Sequence, residues 1–112
     1  MHEVAIAEAV MDIVLAHAAG RRVVRIDVTV GHLRQVVPSA LRFAVELAAQ
    51  GTPAEGATLT IAAVPPAGRC RECGEQGALD AFPFACSACG GLAIDVTAGE
   101  ELRVESIEVA ES

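Results

Sequence analysis

Cys70-Arg71-Glu72-Cys73 and Cys86-Ser87-Ala88-Cys89, separated by twelve residues, contain all four cysteines of the chain. Each Cys-x-x-Cys turn presents a pair of thiolates at one edge, and two such turns complete a tetrahedron around Zn²⁺. Gly74 follows the first pair and Gly90-Gly91 the second, where the backbone must turn tightly after a knuckle. Four thiolates close the coordination shell, so the expected zinc site is structural and admits no water or substrate. Arg69 and Arg71 are expected to offset part of its negative charge. Spacing alone leaves two alternatives open: disulfides, which need an oxidising compartment, and an iron–sulfur cluster.

The chain on either side of this segment is patterned differently. Upstream, Pro65-Pro66-Ala67-Gly68 reads as a boundary, stiff and then flexible. Before it, residues 57–64 alternate as a strand, with Leu59, Ile61 and Ala63 on one side. Residues 22–30 alternate more cleanly, Val24, Ile26, Val28 and Val30 against Arg25, Asp27 and Thr29. Two helices are expected. One spans 3–18, with Ile6, Val10, Ile13, Val14 and His17 at helical spacing and Gly20 as its stop. The other spans 39–50, entered at Pro38, with Leu41, Ala44, Val45 and Ala48 on one face and Gly51 beyond its end.

Downstream, residues 101–109 form the last strand. Leu102 and Val104 share one parity and Ile107 and Val109 the other, so a β-bulge near Glu105-Ser106 is expected to return all four to one face. The order is helix, strand, helix, strand, cysteine insert, strand. This is an α+β fold in which two helices pack on a three-stranded sheet, with a four-cysteine zinc-ribbon domain inserted before the last strand. The expected boundaries are 1–66 plus 99–112 for the α/β domain and 67–98 for the ribbon.

Composition excludes some functions. Eight Lys and Arg residues against fifteen Asp and Glu give a net charge of −7, and aromatic residues make up 3% of the 112. Nucleic acid and anionic membrane surfaces are poor partners for such a chain. The cysteine segment itself carries Glu72, Glu75, Asp80 and Asp95 against Arg71. No run approaches the roughly 20 apolar residues of a membrane span, and the acidic start is unlike an export signal. The cytosol is the expected compartment. No nucleophile–base pairing or phosphate-binding loop supports an enzyme.

The amino end carries the more specific chemistry. In Met1-His2-Glu3 the His2 imidazole can close a chelate ring with its own backbone nitrogen, which closes another with the α-amine. Glu3 adds a backbone nitrogen or a carboxylate. Four such donors suit the square-planar preference of Ni²⁺ and Cu²⁺ over tetrahedral Zn²⁺. His2 is too large for the initiator methionine to be trimmed. His17 and His32 read as ordinary histidines, with auxiliary ligation by His32 the open question.

Met1-His2-Glu3 opening an amphipathic helix resembles the HypA family of hydrogenase and urease nickel-incorporation proteins. Val30-Gly31-His32-Leu33, Val36-Val37-Pro38, Leu41-Arg42-Phe43-Ala44 with Glu46, the paired knuckles, Leu102-Arg103-Val104 and Ser106-Ile107-Glu108 extend the likeness from end to end. The resemblance implies a nickel metallochaperone that binds Ni²⁺ through Met1, His2 and Glu3 and Zn²⁺ through Cys70, Cys73, Cys86 and Cys89. It implies delivery to the large subunit of [NiFe]-hydrogenase with a GTPase accessory protein, and for some members service to urease. Arg34 stands where the family commonly has Ser, Val45 where an aromatic is frequent, and Ser87-Ala88 where the second knuckle often has proline. None is a proposed ligand. The competing reading is a zinc-ribbon interaction module in which His2 is incidental.

Overall fold

The computed structural model describes residues 2–79 and 83–111. Helix α1 (Glu3–Ala18) is followed by β1 (Val23–Gly31), a 3₁₀ turn (His32–Arg34), α2 (Pro38–Ala49) and β2 (Thr58–Val64). Three short strands come next, β3 (Ala67–Cys70), β4 (Gln76–Ala78) and β5 (Ile94–Ala98), and β6 (Leu102–Val109) closes the chain. The chain separates into two compact units. One comprises 1–29, 36–62 and 102–112, the other 30–35 and 63–101.

In the first unit, β1 lies at the centre of a three-stranded sheet ordered β2-β1-β6. Its inward residues Ile26 and Val28 are buried, as alternation requires, and Val23 joins them. Helix α1 packs on α2 and β6. Its buried face consists of Ile6, Ala7, Val10, Met11, Val14 and Ala18, together with Glu3. Ile13 and His17, assigned from spacing to the inner face, are exposed. Small alanines let the helix approach closely, and that rotates the buried stripe. Helix α1 ends at Ala18, as expected, and the left-handed turn that closes it begins at Ala19 (φ 52°), whose N–H bonds the Leu15 carbonyl, and continues into Gly20 (φ 84°). Helix α2 buries Leu41, Ala44, Val45 and Ala49, and Arg42 reaches from its flank to the Leu59 carbonyl on β2.

The expected irregularity in β6 is visible in its side chains. Glu105 and Ser106 are sequence neighbours, which in a regular strand point to opposite faces. Here both reach the same face of β1. Thr29 donates to the Glu105 carboxylate at 2.9 Å, and Ser106 donates to Asp27 at 2.8 Å. Burial also changes parity there, from Leu102 and Val104 to Ile107 and Val109. Both observations fit one inserted residue. This outer face of the sheet is polar, with Arg25 paired to Asp27 at 3.0 Å and Arg103 to Glu105.

The second unit holds a separate antiparallel sheet ordered β4-β3-β5. Its strands were not expected from sequence, and the stretch taken as flexible after Pro65-Pro66 is the start of β3. Gly68 pairs with Gly77 on one side and Val96 on the other. It is buried, and a Cβ there would lie 2.7 Å from the Ile94 side chain. In the same unit the backbone around Gly31 passes close to Gly99. The Gly31 N–H donates to Glu101 and the Leu33 N–H to Gly99, each at 2.7 Å.

Candidate metal centres

The two cysteine pairs occupy turns built to one pattern. The Cys70 N–H donates to the Glu75 carbonyl at 2.9 Å, and the Gly74 N–H returns to the Cys70 carbonyl at 2.9 Å. In the second turn the Cys86 N–H donates to Gly91 and the Gly90 N–H to Cys86, both at 2.8 Å. Gly74 (φ 79°) and Gly90 (φ 74°) occupy equivalent left-handed positions, which glycine adopts without strain. The repeated motif turns both sulfurs of each pair toward one side. Cys70 ends β3, so the sheet anchors the first turn, and the Arg71 N–H extends that anchor to the Ala93 carbonyl at 2.8 Å.

Cys70 and Cys89 lie 3.6 Å apart at Sγ, and Cys73 and Cys86 3.5 Å. All four Sγ atoms fall within 4.8 Å of one another. A ZnS₄ tetrahedron with bonds of about 2.3 Å has edges of about 3.8 Å, so the cluster fits a four-coordinate metal of that size. Cys70 and Cys86 are buried, and Cys73 and Cys89 are exposed. Among the described residues this is the one group of three or more potential ligands close enough to share an ion.

Local N–H groups and neighbouring thiols set the acidity of these cysteines. The Cys89 and Ala88 amides hold the Cys86 thiol down to about 7, by favouring the thiolate. At Cys89 the Gly91 N–H lowers the value, but the Cys70 and Cys86 thiols outweigh it and push Cys89 up to about 12. Cys73 is raised as well: the Glu75 backbone opposes the shift, and the Cys86 thiol and burial drive it. Crowded thiols that resist ionising together are the expected signature of a cluster shaped for a cation. Arg71 is not directed at the sulfurs as expected. It faces Asp95, with Nε 3.4 Å from the carboxylate, because it follows directly on the end of β3, and Asp95 lies on the adjoining strand β5.

At the amino end, Met1 lies outside the described residues. His2 is exposed at the N-cap of α1, and its carbonyl receives the Ile6 N–H at 3.1 Å. Glu3 begins the helix. Unlike most glutamates it is buried, 6% exposed, and its carboxylate accepts the Val37 N–H at 3.1 Å. Sequence reading treated that carboxylate as a possible ligand and missed this bond. The signal was indirect: Val37, the N-cap of α2, has no side-chain oxygen to cap a helix. His17 bonds the Ile13 carbonyl through Nδ1 at 2.9 Å, and His32 opens the exposed 3₁₀ turn. Neither belongs to a ligand group among the described residues.

The family model described as "Hydrogenase/urease nickel incorporation, metallochaperone, hypA" matches residues 1–109. This chain belongs to the HypA family. Similar proteins include the hydrogenase maturation factor HypA of Geotalea uraniireducens, 44% identical over 109 residues, covering 97% of this chain and 99% of that one. The hydrogenase maturation factor HypA of Nostoc punctiforme is 42% identical over 111 residues, covering 99% and 97%. In fold, the chain is similar to the solution structure of the Ni metallochaperone HypA from Helicobacter pylori, with a TM-score of 0.72 at 21% identity and complete coverage of both chains. HypA proteins are metallochaperones, not enzymes. No helix among the described residues is long and apolar enough to cross a membrane.

Proposed function

We propose that this HypA chain carries Ni²⁺ at its amino end for the maturation of [NiFe]-hydrogenase, and that its cysteine cluster holds a structural Zn²⁺. The nickel ligands are the Met1 α-amine, the His2 imidazole and backbone nitrogen, and Glu3. The zinc ligands are Cys70, Cys73, Cys86 and Cys89, within a ribbon domain of 67–98 set between the two parts of the α/β domain, 1–66 and 99–112. The observation carrying the nickel assignment is that the His2 side chain is exposed at the N-cap of α1. A helix leaves its first amides out of its own hydrogen-bond ladder. Deprotonating them for a cation therefore breaks no turn of α1. A terminus is also reachable by a partner, and its ligands are released by protonation.

The partners of this function are a GTPase accessory protein and the hydrogenase large subunit, with urease and its accessory proteins as a second client system. The setting is the cytosol, where thiols remain reduced. Nucleic acid and membrane have no part in it, consistent with the net charge of −7. The test is selective blocking. Acetylating the amino terminus should abolish nickel uptake while leaving zinc content unchanged, whereas Cys73→Ala should lose zinc and ribbon order first. Nickel uptake that survives acetylation defeats the proposal and leaves the zinc-ribbon interaction module in its place. Adding one residue in front of Met1 is a poor control, because it creates an amine-Xaa-Xaa-His chelate.

A further inference from the structure

Glu3 is buried at a place where a metal ligand would need to be available. Its carboxylate accepts the Val37 N–H at 3.1 Å, and Val37 is the N-cap of α2 (φ −84°, ψ 114°) with no side-chain cap bond of its own. The amides at the start of a helix need partners from outside its ladder, and negative charge is favoured there. One carboxylate therefore sits in the first turn of α1 and beside the first turn of α2. Withdrawing it toward a cation would strip a partly buried donor of its acceptor. On the other side of the same peptide, the His2 carbonyl is fixed by the Ile6 N–H at 3.1 Å. The backbone from His2 to Glu3 is thus held at two points, while the His2 side chain stays exposed.

We infer that Glu3 serves nickel binding as a positioning residue, its carboxylate tying the start of α1 to Val37 at the start of α2 and so presenting the His2 and Glu3 backbone nitrogens in a fixed geometry. This rests on the N-terminal nickel reading above and narrows it: the side chain of Glu3 orients the chelate and does not ligate. A chelate of consecutive backbone nitrogens needs them in one plane, and an anchored backbone loses less freedom on binding than a frayed end.

The experiment is a nickel titration of the full-length, zinc-loaded protein with its native amino end, against a competing chromophoric chelator, for His2→Ala, Glu3→Ala, Glu3→Gln and Val37→Pro. Val37→Pro removes the N–H donor alone, because a φ of −84° is close to that of proline and the Val37 carbonyl still receives the Leu41 N–H at 2.9 Å. Glu3→Ala and Val37→Pro should each weaken nickel binding about tenfold, with zinc content and far-UV circular dichroism unchanged. The double variant should be no weaker than either single one. Glu3→Gln keeps an acceptor and should recover most of the affinity, with the nickel absorption band at its wild-type position.

Glu3→Gln as weak as Glu3→Ala, or Val37→Pro with wild-type affinity, overturns the positioning role. Should Val37→Pro fail to fold, the Glu3 pair decides alone. His2→Ala separates the two levels. If it binds nickel like wild type, the N-terminal site itself is wrong. If it loses nickel while Glu3→Ala and Val37→Pro do not, only the positioning role fails.

Discussion

Gly31→Ala isolates a steric demand that the fold makes at one atom. Gly31 has ordinary extended geometry (φ −77°, ψ 146°), so alanine meets no backbone penalty there. Its Cβ, however, would stand 2.0 Å from the Gly99 carbonyl oxygen, 2.1 Å from Gly99 C and 2.6 Å from Glu100 N. Restoring even a 3.0 Å contact from 2.0 Å requires a shift of 1.0 Å in backbone atoms. The bonds from Gly31 N to Glu101 O and from Leu33 N to Gly99 O are each 2.7 Å, and a 1.0 Å retreat would take them past hydrogen-bond range. Two lost bonds cost about 2 kcal/mol net, and overpacking adds about 1–3 kcal/mol. The total, about 3–5 kcal/mol, is a large share of the 5–15 kcal/mol typical of a domain. With a urea m-value of about 1–2 kcal/mol/M for a protein of this size, the midpoint should fall by about 1.5 M or more. Far-UV circular dichroism in excess zinc reads the midpoint, and amide exchange at Gly31 and Leu33 reads the local loss. Gly77→Ala, with nothing within 4 Å of its Cβ, is the matched control. A Gly31→Ala midpoint equal to that of Gly77→Ala would refute the reasoning.

Two further outcomes concern protons. With Cys89 pushed up to about 12 and Cys86 held down to about 7, metal uptake at pH 7–8 must displace at least the Cys89 proton. The apparent affinity for Co²⁺, followed by sulfur-to-cobalt charge transfer, should therefore rise at least about tenfold from pH 7 to pH 8; a flat profile contradicts the assignment. At Asp27, Ser106 first and Arg25 after it lower the folded-state value. That stabilisation is present above the unfolded pKa of about 4 and is lost as pH falls through the folded value. Ser106→Ala should flatten the pH dependence of stability below pH 5, measured by urea midpoints. An unchanged slope would remove Ser106 from the account.

The elements most legible in the sequence were those whose residues take their order from burial. β1 alternates because one face buries Ile26 and Val28 and the other is polar, and the β6 bulge could be read from a parity change in four apolar residues. The metal turns were legible for another reason: ligand spacing is dictated by coordination geometry. The ribbon strands were not. Gly68 and Gly77 carry no side chain to alternate, and short strands organised around a metal cluster need little hydrophobic pattern. The inner face of α1 was misjudged because Ala7 and Ala18 carry little hydrophobic weight in a pattern yet pack closely. The Glu3–Val37 bond is a contact across 34 positions, and a pattern within one element cannot encode it.

The most direct measurement is equilibrium binding of Ni²⁺ to the zinc-loaded protein with a free amino terminus, read by absorption in the region of planar d⁸ nickel. One nickel per chain beyond the tightly held zinc, with a planar spectrum that vanishes in His2→Ala, is the predicted result. Equal nickel binding by wild type and His2→Ala, or a spectrum of octahedral nickel only, would contradict it.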